Sequence, residues 1–213
     1  MDLDNVVQIC DAYRPHYHEM AVHNTARFLP PDSVKRVLFV GGGDSMLLHE
    51  ILMYDSLEFV VGLELDQKVT RGSFRHFGTQ PHFHNDKVQW WFGDASKSLL
   101  MLPKEWFGTF DLVLVDLSET VMSFKVTGEL DVLEALTLLV KPDGIFVKNE
   151  VYFSKFQNMF KHSAQINWYV FINIHLSIFQ LFLYHGLIFV ITTSWDDPQV
   201  RQSSYLLTSN GNG

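Results

Sequence analysis

Arg36-Val37-Leu38-Phe39-Val40-Gly41-Gly42-Gly43-Asp44 is the stretch on which the fold turns. An unbroken apolar run of this length suits a strand covered on both faces, as in a parallel sheet. The glycines that follow permit a tight turn and let another group approach the backbone without meeting a Cβ. After the turn, Met46 to Met53 carries apolar residues at helical spacing. Working outward, Phe59 to Leu65, Val88 to Phe92 and Phe110 to Val115 read as a second, third and fourth strand, the last with Asp111 near its start and Asp116 just past its end. Lys125 to Val140 predicts a helix with Val126, Leu130, Leu133, Leu136 and Val140 on one face. Lys141-Pro142-Asp143-Gly144 reads as a turn, and Ile145-Phe146-Val147 as a fifth strand. Strands alternating with helices predict an α/β fold with a doubly wound, mostly parallel sheet. Residues 1–30, closing on Pro30-Pro31, read as a short lead-in, 31–160 as the α/β core and 161–213 as divergent C-terminal strands or tail.

The tail admits three readings: paired strands, a membrane helix, or a divergent tail that does not fold well. No Asp, Glu, Lys or Arg occurs between Lys161 and Asp196, and Trp168 to Thr193 is long enough to span a bilayer. Asn173, His175, Ser177, Gln180 and His185 interrupt that run and Gly186 breaks it. A pair of buried strands, near 168–176 and 187–193, accounts for the pattern better than a membrane helix. The formal net charge of −8 repels phosphate backbones, which argues against a nucleic-acid partner. The single cysteine, Cys10, excludes an internal disulfide and fits a reducing compartment. The start Met1-Asp2-Leu3-Asp4 lacks the basic flank and apolar stretch of a signal peptide, so a cytoplasmic location is expected.

In an open parallel sheet, ligands bind at the carboxyl ends of the strands. Here four successive strands each bring a glycine turn or an acid to that edge: Gly41-Gly42-Gly43, then Glu64, Asp94 and Asp116. An acid after the second strand can accept from both ribose hydroxyls of a nucleoside. Asp94 can accept from an adenine amino group, although an acid there also serves as an ordinary helix cap. Asp44 directly after the glycines would repel a pyrophosphate, which disfavours NAD and ATP. It suits a nucleoside carrying a positive group, such as S-adenosylmethionine or its decarboxylated form.

Tyr17-His18-Glu19-Met20, Val37 to Asp44, Glu64-Leu65-Asp66, Gly93-Asp94 and Asp116-Leu117-Ser118-Glu119 follow one another in the order and spacing of spermidine and spermine synthases. The chain resembles this aminopropyltransferase family over roughly residues 13–150, as a divergent member lacking most of the family's N-terminal β domain. The resemblance implies a Rossmann-like methyltransferase/aminopropyltransferase fold and transfer of an aminopropyl group from decarboxylated S-adenosylmethionine to a di- or polyamine. It implies that Glu64 holds the ribose, Asp94 the adenine and Asp44 the aminopropyl amine, with His18 beside the co-substrate. Tyr17 would line the amine pocket, with Glu119, Asn149 and Tyr184 as further amine contacts, and Asp116 would be the catalytic acid/base. No metal is called for, and a homodimer is compatible with the family.

Departures from the pattern stand beside these matches. Ser45-Met46 replaces the family's Gly-Gly, Leu117 an expected small polar residue, and Lys148-Asn149-Glu150 a Gln-containing amine-binding segment. A methyltransferase acting on a small molecule, or a catalytically silent nucleoside-binding protein, are the alternative functions. His76, His82 and His84 cluster around Pro81 and could hold zinc, but no cysteine accompanies them and the segment reads as a polar loop. Trp90-Trp91 reads as core with one half-exposed face.

Overall fold

The computed structural model describes residues 14–117 and 119–150, together with Asp2–Leu3, Val6–Val7, Ile9, Trp168–Asn173, Leu187–Thr192 and Leu206–Leu207. In chain order the elements are β1 (Asp2–Leu3), β2 (Val6–Val7), α1 (Arg14–Glu19), a π-helical turn (Met20–Asn24), β3 (Arg36–Val40), α2 (Met46–Ile51), β4 (Phe59–Glu64), α3 (Gln67–Phe77), β5 (Val88–Phe92) and α4 (Ala95–Met101). There follow β6 (Phe110–Val115), α5 (Glu119–Met122), α6 (Val132–Thr137), β7 (Val140–Glu150), β8 (Trp168–Asn173), β9 (Leu187–Thr192) and β10 (Leu206–Leu207). Strands β3 to β7 form the expected parallel sheet, in the order β7-β6-β3-β4-β5. Antiparallel β9 extends it beyond β7, followed by β8 and β10.

Side chains of a strand alternate between its two faces, and the core divides accordingly. Leu38, Val40, Val61, Leu63, Val113, Val115 and Phe146 point to one layer, covered by Leu99 of α4, Met122 of α5 and Leu133 and Leu136 of α6. Val37, Phe39, Val60, Leu112, Leu114, Ile145 and Val147 point to the other, covered by Ala21, Val22, Ala26 and Leu29 and by Leu47, Leu48 and Ile51 of α2. The Val, Leu, Ile, Phe and Met side chains among these, buried to 7% exposure or less, each contribute on the order of 1.5–3 kcal/mol relative to leaving them in water. Residues 20–29, read from sequence as part of a lead-in, therefore pack into the same core as the sheet. The adjacent tryptophans split between the layers, Trp90 against the second and Trp91 against the first.

Two expectations are corrected. The helix expected over Lys125–Val140 is confined to α6. Its start is fixed by a capping box in which Asp131 accepts from the Glu134 amide and the Glu134 side chain accepts from the Asp131 amide. Upstream, Lys125 and Asp131 instead form an isolated β-bridge, and the Leu130 amide donates to the Thr127 hydroxyl. Lys141-Pro142-Asp143-Gly144 is not a turn preceding the fifth strand but an irregular segment inside β7. Val140 pairs with Phe110 and Ile145 with Leu112, so the intervening residues bulge out. Asp143 takes a left-handed φ of 63° there. The stretch read as paired strands, a membrane helix or a divergent tail contains β8 and β9. Among the described residues no helix is long and apolar enough to cross a membrane.

Candidate functional site

The sheet carries its hydrogen bonding one residue past the strand ends, and this places the acids at one level. The Gly41 amide donates to the Leu63 carbonyl, that of Gly93 to Glu64 and that of Asp116 to Val40. The glycine turn after β3 is thereby wedged between its two neighbours. Gly41 has φ +80°, and a Cβ there would collide with the Asp116 carbonyl oxygen. A Cβ on Gly43 would lie 2.5 Å from Glu64 Oε2. With Gly42, these residues form a cradle that only hydrogen atoms can line.

Asp44 and Glu64 are both buried. Asp44 Oδ1 accepts from the Met46 amide at 3.0 Å, and its Oδ2 lies 3.5 Å from His18 Nε2. Glu64 Oε1 accepts from the Asp66 amide at 2.9 Å. Burial pushes the Glu64 carboxyl above its usual range; backbone amides, Asp66 first, pull it back, and the nearby Asp44 adds to the upward shift. Asp94 is the N-cap of α4, its Oδ1 accepting from the Ser96 hydroxyl at 2.8 Å and amide at 2.9 Å. The hydroxyl first, then the amide, hold its carboxyl below the usual range.

Helix α1 crosses this rim. The Tyr17 hydroxyl donates to Asp116 Oδ1 at 3.0 Å, and its ring meets that of His18 edge-on at 5.0 Å. Tyr17 and Asp116 stand over a small cleft lined by Ala21, Leu47, Leu114, Val115 and Val147. Gly41 to Asp44, Glu64, Asp116, His18 and Tyr17 thus come together. Asp94 lies on the same rim but at β5, with β3 and β4 between it and β6. Glu119 opens α5, and Asn149 in β7 pairs in register with Ile188 of β9; the side chains of Glu119 and Asn149, and Tyr184 altogether, lie outside the described residues. Cys10 also lies outside them. Among the described residues no three His, Cys, Asp or Glu converge on a metal position, His76, His82 and His84 included.

Three features escape a motif-based reading. Ser45 occupies a left-handed conformation (φ 67°) with its hydroxyl buried and unbonded. His23 bonds both the buried Glu50 and Tyr54. Lys148 is fully buried at the carboxyl end of β7. For the last two a signal existed: a charged residue inside an apolar run, Glu50 in Met46–Ile51 and Lys148 after Ile145–Val147, demands a partner.

The parallel sheet with its helices on both faces defines a doubly wound α/β protein with an acidic rim, and comparison with known proteins narrows the class. The spermine/spermidine synthase domain family matches residues 14–204. The chain is 33% identical over 147 residues to spermine synthase of Arabidopsis thaliana, covering 67% of this chain and 39% of that protein. It is 32% identical over 148 residues to the polyamine aminopropyltransferase of a Thermoanaerobacter species, covering 69% and 51% respectively. The crystal structure of spermidine synthase from Thermotoga maritima superimposes with a TM-score of 0.61 at 20% identity, covering 91% of this chain and 67% of that one. A spermidine synthase in complex with the transition-state analogue AdoDATO gives 0.62 at 20% identity, covering 91% and 68%. The chain belongs to the spermine/spermidine synthase family, and it spans about half or less of the length of these two curated relatives.

Proposed function

We propose that this chain transfers the aminopropyl group of decarboxylated S-adenosylmethionine to a di- or polyamine, releasing methylthioadenosine. The observation that carries the reading is the convergence of Asp44, Glu64 and Asp116 on a glycine cradle at one rim of the sheet. Buried carboxylates need donors or cations to balance them. A ribose diol, a sulfonium and an ammonium together supply both, so the residues present fit the co-substrate. Glu64 would accept from the ribose hydroxyls and Asp94 from the adenine amino group. Asp44, with His18 beside it, would hold the aminopropyl amine.

The sulfonium supplies a good leaving group when bound. What remains for the protein is orientation and one proton transfer. The acceptor amine is an ammonium at neutral pH, with a reference pKa near ~10, and it cannot attack carbon until deprotonated. Asp116 would bind that ammonium and accept its proton as the new N–C bond forms and the C–S bond breaks, its electron pair leaving on sulfur. The Tyr17 hydrogen bond fixes the Asp116 carboxylate for this role. The apolar walls below it suit the methylene chain of an amine, with Glu119, Asn149 and Tyr184 proposed as its outer contacts.

The test is incubation of the full chain with decarboxylated S-adenosylmethionine and a panel of amines, read by product mass. Amines that gain one aminopropyl group, with methylthioadenosine in equal amount, are the expected outcome. Calorimetric preference for the carboxylated nucleoside would move the reading to a methyltransferase. Tight nucleoside binding with no amine turned over would make it a silent binding protein.

A further inference from the structure

Tyr17, His18 and His23 lie within one short segment, and each reaches a different group on the core: Asp116, Asp44 and Glu50. The first two partners belong to the proposed site. The third does not, and its geometry is the tightest of the three. His23 Nε2 lies 2.8 Å from Glu50 Oε2, and Nδ1 lies 2.9 Å from the Tyr54 hydroxyl. Glu50 is 6% exposed and projects from α2, the helix that begins two residues after Asp44. Tyr54 follows the same helix, its ring 5.4 Å from that of His23. Burial, and Glu50 after it, push the Tyr54 hydroxyl up, so it keeps its proton. With neutral imidazole, Nε2–H donates to Glu50 while Tyr54 donates to Nδ1. With imidazolium, both nitrogens donate and Tyr54 accepts. The clasp is therefore satisfied in either state of the ring.

Its placement gives it a purpose. His23 stands in a π-helical turn directly after α1, and such turns recur at functional sites because they re-aim side chains. The clasp joins that turn to α2, so the segment bearing Tyr17 and His18 and the helix following Asp44 are held as one unit. We infer that His23 is a positioning residue, keeping Tyr17 on Asp116 and His18 on Asp44 while touching no substrate itself. Its effect on ligand affinity rests on the function proposed above; its effect on the seating of α1 does not.

The test compares the full chain with His23→Gln and with the double substitution His23→Leu/Glu50→Met. Two readouts are taken: affinity for methylthioadenosine by calorimetry, and amide exchange across residues 14–24. Glutamine can still donate to Glu50, and the double variant leaves no buried charge unpaired, so both should fold. The double variant is expected to exchange faster over residues 14–24 and to bind methylthioadenosine about tenfold or more weakly, since small misplacements of binding groups act steeply. The glutamine variant should recover most of both. Parental affinity and exchange in the double variant would overturn the inference, as would a glutamine variant no better than the double. Should the double variant not fold, Tyr54→Phe, which removes one bond of the clasp, decides on the same readouts: faster exchange supports the clasp, and unchanged exchange with unchanged affinity refutes it. If the parent binds no methylthioadenosine, the functional proposal fails while the exchange comparison still decides the seating of α1.

Discussion

Ser45→Gly should stabilise the protein even though it removes a buried side chain. Ser45 holds φ 67°, ψ 12° as the N-cap of α2, with no side-chain capping bond, and its hydroxyl is buried without a partner. A left-handed conformation costs a non-glycine residue about 1–2 kcal/mol. An unsatisfied buried hydroxyl costs about 1–3 kcal/mol more. Against this, glycine loses about 0.5–1 kcal/mol through the greater freedom of its unfolded chain. With the middle of each range discounted for overlap, the net gain is about 1–2 kcal/mol. In a chain of this size that raises the melting midpoint by about 3–6 °C. Urea denaturation followed by circular dichroism, with a calorimetric scan, measures both quantities. Ser45→Ala separates the two causes, because alanine drops the hydroxyl and keeps the strained backbone; it should give less than glycine. A glycine variant no more stable than the parent, or less stable than the alanine variant, would refute the argument that the αL backbone at residue 45 is under strain.

Gly41→Ala should lose about 3 kcal/mol or more, seen as a collapse of the urea midpoint, because its Cβ would meet the Asp116 carbonyl from a positive-φ position. Glu64→Gln should weaken methylthioadenosine binding about tenfold to a hundredfold, the worth of hydrogen bonds to a charged group. The same substitution should stabilise the ligand-free protein at neutral pH. The Glu64 carboxyl is raised on folding, so its favourable contribution is present below the unfolded value and is lost as pH rises through the folded one. The gain from glutamine should therefore shrink on acidification, which melting curves across pH will show. Tyr17→Phe should lower the rate of aminopropyl transfer about tenfold, by freeing the Asp116 carboxylate from its orienting bond, with little change in melting midpoint.

The five parallel strands were legible because each is a short apolar run, the first four ending at a glycine or an acid and the fifth at Lys148, and a strand covered on both faces tolerates little else. The rim acids were legible for the same reason: the end of a run is easy to see, and the topology brings all the ends to one level. The helix expected over Lys125–Val140 failed because apolar spacing alone cannot tell a helix from a bridge, a cap and a strand end in succession. The signal that mattered was local: Asp131 with Glu134 three residues on marks where the helix starts. The bulge in β7 was hidden because Pro142 and Gly144 carry the same signature in a turn as in a strand that swells around its neighbour. The conformation of Ser45 and the turn containing His23 depend on tertiary packing, and no single residue announces them.

At the rim opposite the acids, Asp111 accepts from the Lys35 and Arg36 amides at 2.9 and 2.6 Å and pairs with Lys141. One carboxylate therefore stitches together the entrances of β3, β6 and β7, while at the other end the Asp116 amide carries the β3–β6 pairing one rung further, to the Val40 carbonyl. Like pages bound along a spine, these strands are anchored by a buried charged group at one margin and by backbone rungs alone at the margin where the glycine turn sits.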